Sequence, residues 1–333
     1  MPLTDLPLEQ LLAYRPEVDA PADLDAFWAG TLAAARAAGG SARLLPVEGS
    51  PLTGVDVWDV RFPGWRGEPV AGWLLAPRGA PGPLPVVVEY LGYSQGRGLP
   101  LEHLLYPAAG WAVFVMDSRG QGHETPDAHE GPAAQWVGGF MTKGVDAPQH
   151  HYYRRLYADA VRAVDFVRGL DGLVDPGRVV VAGNSQGGGV ALAVAALADG
   201  LVAGAMVNVP FLQHFRRSVE IAGDGPYPEV AEYLRFHTPG AVERTFRTLS
   251  YFDGVNLAAR AGAPALFSVA LMDPVCPPST VYAAYHRYAG PKEMAVWPFA
   301  DHAGGRAAQL DRQLRWLARL TGHAGADGVD QRP

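Results

Sequence analysis

The sequence predicts an α/β protein: a mostly parallel central sheet flanked by helices, with an N-terminal extension and a helical insertion. Two observations predict it. Short apolar runs alternate with helical stretches through most of the chain, as in parallel sheets covered on both faces. One of these runs, Val179 to Ala182, passes through Gly183-Asn184-Ser185-Gln186-Gly187 straight into the buried-type stretch Val190 to Leu197. A chain that leaves a strand and enters a helix in so few residues turns sharply, which glycines permit, and Ser185 is held at the tip.

The elements follow in order. Leu24, Phe27, Trp28 and Leu32 share one face of an N-terminal helix over Ala22 to Ala38, and Gly39 is placed to end it. Val55 to Phe62 and Val70 to Ala76 pair as an antiparallel hairpin around Pro63, Gly64 and Gly67. Strands are then expected at Pro85 to Tyr90, Ala112 to Met116, Val179 to Ala182, Ala203 to Asn208, Ala265 to Ala270 and Met294 to Pro298. Helices are expected over Tyr152 to Arg168, Gly188 to Ala198, Thr280 to Tyr288 and Ala307 to Leu320. Phe211 to Ala261 breaks the rhythm, is rich in aromatic and charged residues, and reads as a helical insertion roofing a pocket. The division is one domain over 1–322, with an N-terminal extension over 1–40 and that insertion at 211–261, followed by a disordered polar tail over 323–333.

Composition narrows the function. The 333 residues, 48% hydrophobic and 18% charged, suit a globular protein with a large core. A net charge of -7 without a basic block argues against nucleic acid or an anionic membrane as partner. The start MPLTDLPLEQ lacks the pattern of a signal peptide, no apolar run reaches membrane-spanning length, and Cys276 is the single cysteine. A cytoplasmic, disulfide-free protein is expected.

The chemistry centres on Ser185. An unassisted serine is a poor nucleophile, so a base must lie within hydrogen-bond reach and an acid must orient the base, in the chain order Ser, acid, His. Of the later histidines, His214, His237, His286, His302 and His323, only His302 follows a late strand and precedes the final helix. The others read as surface, cap or tail residues. Asp273 closes the run ALFSVAL at the same sheet edge and is the favoured acid, against a turn or capping role; Asp301 adjoins His302 and reaches its ring poorly, and Asp253 lies late in the insertion. Oxyanion donors are expected from the backbone N–H groups of Gln186, at the helix start, and Tyr93, in the loop LGYSQGRG.

Four separated stretches carry a resemblance: GYSQGRG (92–98), MDSRGQG (116–122), GNSQGG (183–188) and DPVCPPSTVYAAYHRYAGPKE (273–293). Over residues 3–320 the chain resembles the acetyl xylan esterase and cephalosporin-C deacetylase family, the seventh carbohydrate esterase family of the α/β-hydrolase superfamily. The resemblance implies an α/β-hydrolase fold, Ser185, Asp273 and His302 as triad, and the Tyr93 and Gln186 amides as oxyanion hole. It further implies a cofactor-free deacetylase of short xylo-oligosaccharides and cephalosporin-C-like esters, assembled as a homohexamer. The family's glutamate after the histidine is Ala303 here. Arg119 and Gln121 lie in a family signature and are given supporting roles, with Arg119 bracing Asp117 or a neighbouring loop.

Other readings stay open at this stage. A general short-chain carboxylesterase or serine exopeptidase would share fold and triad, and a non-catalytic binding protein would share the fold alone. HETPDAHE, His123 to Glu130, lacks the spacing of a helical metal site and contains Pro126, so a solvated loop and no metal are expected; His150 and His151 read as surface residues. Tyr93, Trp111, Trp136, Phe211 and Phe215 are candidates to line the pocket, with core packing the blander role.

Overall fold

A computed structural model describes residues 3, 5–128 and 138–321. Two helices and three strands precede the alternating region: α1 (Leu8–Ala13) and α2 (Leu24–Ala37), then β1 (Arg43–Pro46), β2 (Val55–Pro63) and β3 (Pro69–Pro77). The centre of the fold runs β4 (Leu84–Tyr90), α3 (Leu105–Ala108), β5 (Ala112–Met116), α4 (Tyr152–Arg168), β6 (Val174–Asn184), α5 (Gln186–Leu197) and β7 (Gly204–Asn208). The insertion contributes α6 (Phe215–Ile221), α7 (Tyr227–Phe236), α8 (Val242–Ser250) and α9 (Gly254–Leu257), and β8 (Ala265–Ala270), α10 (Pro278–Arg287), β9 (Lys292–Trp297) and α11 (Arg306–Thr321) complete the chain.

All nine strands form one sheet in the order β1-β2-β3-β5-β4-β6-β7-β8-β9. The pairs from β1 to β5 in that order are antiparallel, and every pair from β5 through β4 to β9 is parallel. This is the α/β-hydrolase arrangement. Side chains alternate along the central strands: Val86, Val88, Phe114 and Val181 face one core with α2, α4 and α5, while Val87, Val113, Val115 and Val180 face the other with Trp316 and Leu317 of α11. Each such fully buried aliphatic side chain stabilises the fold by roughly 1.5–3 kcal/mol relative to exposure. Both faces are therefore covered, and the carboxyl ends of the parallel strands are left for chemistry.

Several expectations change in contact with the structure. His151 is fully buried, not superficial: it caps α4 by accepting from the Tyr153 amide, its Nε2 meets the Met141 carbonyl at 3.1 Å, and its ring stacks on Phe252. Burial pushes its pKa down to about 3. The described part of the segment read as a solvated loop, residues 123–128, exposes His123, Pro126 and Ala128 and anchors the rest. Thr125 is buried and accepts from the Ala71 amide, Glu124 pairs with Arg61 and Arg97, and the Asp127 carboxylate accepts from Arg155. Of the two expectations for Arg119, Asp117 is not its partner, whereas neighbouring loops are: it reaches Glu68 and Asp127 as well as Asp159 of α4. Its guanidinium makes a fork to Asp159 at 2.5 and 2.8 Å and reaches Glu68 at 2.6 Å, whereas Asp117 accepts from the Arg97 amide. With Arg119 and Asp159 both fully buried, only such paired geometry offsets the cost of removing the charges from water.

The sequence-based reading omitted α1, β1 and the four-residue α3. Leu11 of α1 sits with Val281 and Tyr282 of α10, and Asp5 accepts from the Ser279 amide at 2.7 Å and from Arg217 at 2.9 Å. The tail 323–333, with His323, and the residues Trp136, His129 and Glu130 lie outside the described residues. Among the described residues no helix is long and apolar enough to cross a membrane.

Candidate active site

Four loops bring the site together at one edge of the sheet. Ser185 follows β6, Tyr93 lies beyond β4, Asp273 beyond β8 and His302 beyond β9. Ser185 has φ 58° and ψ -118°, a conformation L-residues rarely adopt, and it is clamped there: its amide donates to the Asn208 carbonyl, and its carbonyl accepts from the Gly189 and Phe211 amides. The surrounding glycines answer a spatial demand. A Cβ on Gly187 would stand 2.0 Å from the Tyr90 carbonyl oxygen, and one on Gly183 would stand 2.2 Å from the Gly187 carbonyl carbon. Strand β4, the turn and helix α5 touch backbone to backbone here.

The three polar side chains form one chain of hydrogen bonds. His302 Nε2 lies 2.9 Å from Ser185 Oγ, and His302 Nδ1 lies 2.8 Å from Asp273 Oδ2. With Nδ1–H donating to the carboxylate, Nε2 is left to accept from the hydroxyl; this tautomer is assigned from the network. The other Asp273 oxygen accepts from the Val275 and Cys276 amides at 2.8 and 2.9 Å, so both of its oxygens are engaged although the residue is fully buried. A backbone bond from the Met272 amide to the Ala300 carbonyl ties the acid loop to the histidine loop. Asp301 takes no part in the chain: its carboxylate accepts from the Ala303 amide at 3.0 Å and shapes the turn that carries His302.

The loop after β4 is held from two sides. Gln121 Oε1 accepts from the Ser94 amide at 2.7 Å while its side-chain nitrogen, Nε2, donates to Tyr152 Oη and to Gln186 Oε1. Gln186, buried at the first position of α5, also accepts from Tyr153 Oη at 3.1 Å. On the opposite side, Tyr93 Oη donates to Glu229 Oε1 at 2.7 Å, and Glu229 Oε2 accepts from the Met141 amide at 3.2 Å. Burial raises the Glu229 pKa against the lowering effect of these hydrogen bonds. Glu229 belongs to α7, so the insertion reaches the site directly.

A cleft of about 560 Å³ opens over Ser185 and His302, within the range of small-molecule sites. Tyr93, Asn184, Asp224, Pro226, Glu229 and Val275 contribute to its wall. Of the other aromatic candidates, Trp111, Phe211 and Phe215 are buried in the two cores. Among the described residues, the one cluster with metal-ligand spacing is Asp273, Cys276 and His302. Two of these are already bonded to one another, and Cys276 is a buried free thiol.

The sequence-based reading placed Ser185, Asp273, His302, Tyr93 and Gln186 at this edge, and the structure brings all five there. It also named Gln121, without the partners found here. Glu229 and its bond to Tyr93 were missed; an acidic residue in a charged insertion carries no local signal of a partner 136 positions away.

The acetyl xylan esterase (AXE1) family model matches residues 1–320. A solved acetyl xylan esterase from a Paenibacillus species superposes with a TM-score of 0.90 at 42% identity, covering 94% of this chain and 99% of that one. Acetyl xylan esterase 1 from a Thermoanaerobacterium species superposes at 0.88 with 32% identity, covering 95% and 99% of the two chains. The acetyl esterase Axe7A of Xylanibacter ruminicola is 29% identical over 313 residues, which is 92% of this chain and 68% of that protein.

Proposed function

Because this chain belongs to the acetyl xylan esterase family and is a carboxylic ester hydrolase, we propose that it removes acetyl groups from short acetylated xylo-oligosaccharides through a Ser185-linked acyl-enzyme. Cephalosporin-C-like acetate esters, which present the same acetyl group on a different alcohol, are included in the proposed range. The observation that supports this most is the chain Ser185–His302–Asp273, with its 2.9 and 2.8 Å spacings, at the mouth of the cleft.

The reaction proceeds in two acyl transfers. Ser185 Oγ attacks the acetyl carbonyl carbon as His302 Nε2 takes the hydroxyl proton, and Asp273 holds the ring and stabilises its charged form. The carbonyl oxygen becomes an oxyanion, which the backbone N–H groups of Tyr93 and Gln186 stabilise; the latter begins α5, where the helix dipole also favours negative charge. The carbon–oxygen bond to the sugar breaks, and His302 returns the proton to the departing alcohol. Water then attacks the acetyl-serine, giving its proton to His302, and acetate leaves as Ser185 is restored. No step calls on a metal or organic cofactor.

Assembly and location belong to the same proposal. Family resemblance supports a homohexamer, and a solution mass equal to one chain would exclude it. The single buried thiol of Cys276 suits a reducing, cytoplasmic setting, which recovery of the protein outside the cell membrane would contradict.

The acyl specificity is tested with p-nitrophenyl acetate, butyrate and octanoate, followed by acetate release from acetylated xylo-oligosaccharides. A steep fall in kcat/KM with acyl length, together with acetate release from the oligosaccharides, is expected. A preference for octanoate would replace this reading with a general carboxylesterase.

A further inference from the structure

We propose that the cleft discriminates by the charge of the alcohol portion, ranking acetate esters whose alcohol carries a negative charge below neutral or cationic ones. This rests on the esterase reading above and names the substrate class more narrowly. The described residues that line the cleft include three carboxylates, Glu89, Asp224 and Glu229, and no lysine or arginine.

Among the described residues, two of the three have no counter-cation. Glu229 is held by the Tyr93 hydroxyl and by backbone amides, all neutral donors that fix the carboxylate without cancelling its charge. Asp224, exposed, accepts only from the Gly225 amide beside it. Glu89 is partly offset, since His103 Nδ1 lies 3.5 Å from its carboxylate. The remaining titratable groups in the lining are Tyr90 and Tyr93, whose pKa values burial raises so that they stay neutral, and His302, whose imidazole is already bonded to Asp273.

A cleft lined by one sign of charge focuses its potential and changes the local concentration of charged ligands by tenfold or more, an effect salt weakens. Neutral acetylated xylo-oligosaccharides feel little of this. Uronate-bearing oligosaccharides and carboxylate-bearing cephalosporins are disfavoured, so the two proposed substrate classes are ranked. Acetate, the anionic product, is repelled once it forms.

Three para-substituted phenyl acetates of similar shape provide the test: para-acetoxybenzoate (anionic), para-acetoxybenzamide (neutral) and para-acetoxyphenyltrimethylammonium (cationic). Each kcat/KM is divided by the ester's rate with hydroxide, which removes intrinsic reactivity. At low salt the anion is expected to fall roughly tenfold or more below the amide, with the cation at or above it. The gap should shrink at high salt and in both Asp224→Asn and Glu229→Gln. Because Glu229 also holds Tyr93, the quantity read is the anion-to-amide ratio within each variant. Equal normalised rates at low salt, or a gap unmoved by salt and by both substitutions, overturn the proposal. Ser185→Ala is run alongside: hydrolysis that survives in it overturns the esterase reading itself.

Discussion

Gln121 shows how much of the site's order rests on single side chains away from the reacting atoms. Its amide joins the Ser94 backbone, Tyr152 and Gln186, so it holds the loop carrying Tyr93 against the start of α5. Gln121→Ala removes that tie while leaving Ser185, His302 and Asp273 in place. If the loop supplies an oxyanion donor, kcat should drop by roughly tenfold to a hundredfold with KM changed little, because the lost interaction is made in the transition state. A change confined to KM in steady-state kinetics would show that the loop serves binding instead. At this scale the sequence was most informative where a residue closes an apolar run. Ser185, Asp273 and His302 each follow a strand, so their common edge was legible from pattern and order alone. The partners of Gln121, Arg119 and Glu229 were not, since those contacts join residues between 27 and 136 positions apart.

Helices and strands were legible in proportion to their length and burial. Tyr152–Arg168 matches its expected span, and the parallel strands differ from expectation by at most one or two residues at either end, except β6, which runs over Val174–Asn184 where Val179 to Ala182 was expected. The four-residue β1 and six-residue α1 escaped notice because neither is long enough to show a period. His151 was misread for a related reason: a polar residue at a helix start resembles a surface cap, and only the packing of Phe252 and Met141 over it buries the ring. That burial has a consequence for α4. The His151 pKa lies at about 3 against an ordinary 6.5, so below 6.5 the unfolded chain takes a proton that the folded chain refuses. Its contribution to stability is complete above about 6.5 and is lost as pH falls toward 3, at about 1.4 kcal/mol per pH unit. His151→Asn keeps a capping acceptor without a titrating ring. Urea unfolding of both proteins at pH 7 and pH 5 should show the wild type losing about 2 kcal/mol more than the variant; equal losses would mean that His151 is protonated within the fold.

The whole molecule is organised around the edge where its strands end. Doubly covered parallel strands bury the middle of the chain, leaving the turns after β4, β6, β8 and β9 to meet on one side. The insertion then brings Asp224 and Glu229 to the cleft, and the N-terminal segment docks on α10 through Asp5 and Leu11. The architecture was legible because alternation of strand and helix restricts the topology to a few arrangements. The shape and charge of the cleft were not, because they depend on how the insertion folds back over the sheet. The most direct measurement is to mix the enzyme with p-nitrophenyl acetate, quench in acid within the first turnovers, digest, and weigh the peptide that spans Gly183 to Gly189. A gain equal to one acetyl group on Ser185, absent in Ser185→Ala and enriched in Asp273→Asn if deacylation is slowed more than acylation, is expected. Turnover with an acetyl group trapped on another side chain, or undiminished turnover in Ser185→Ala, would contradict it.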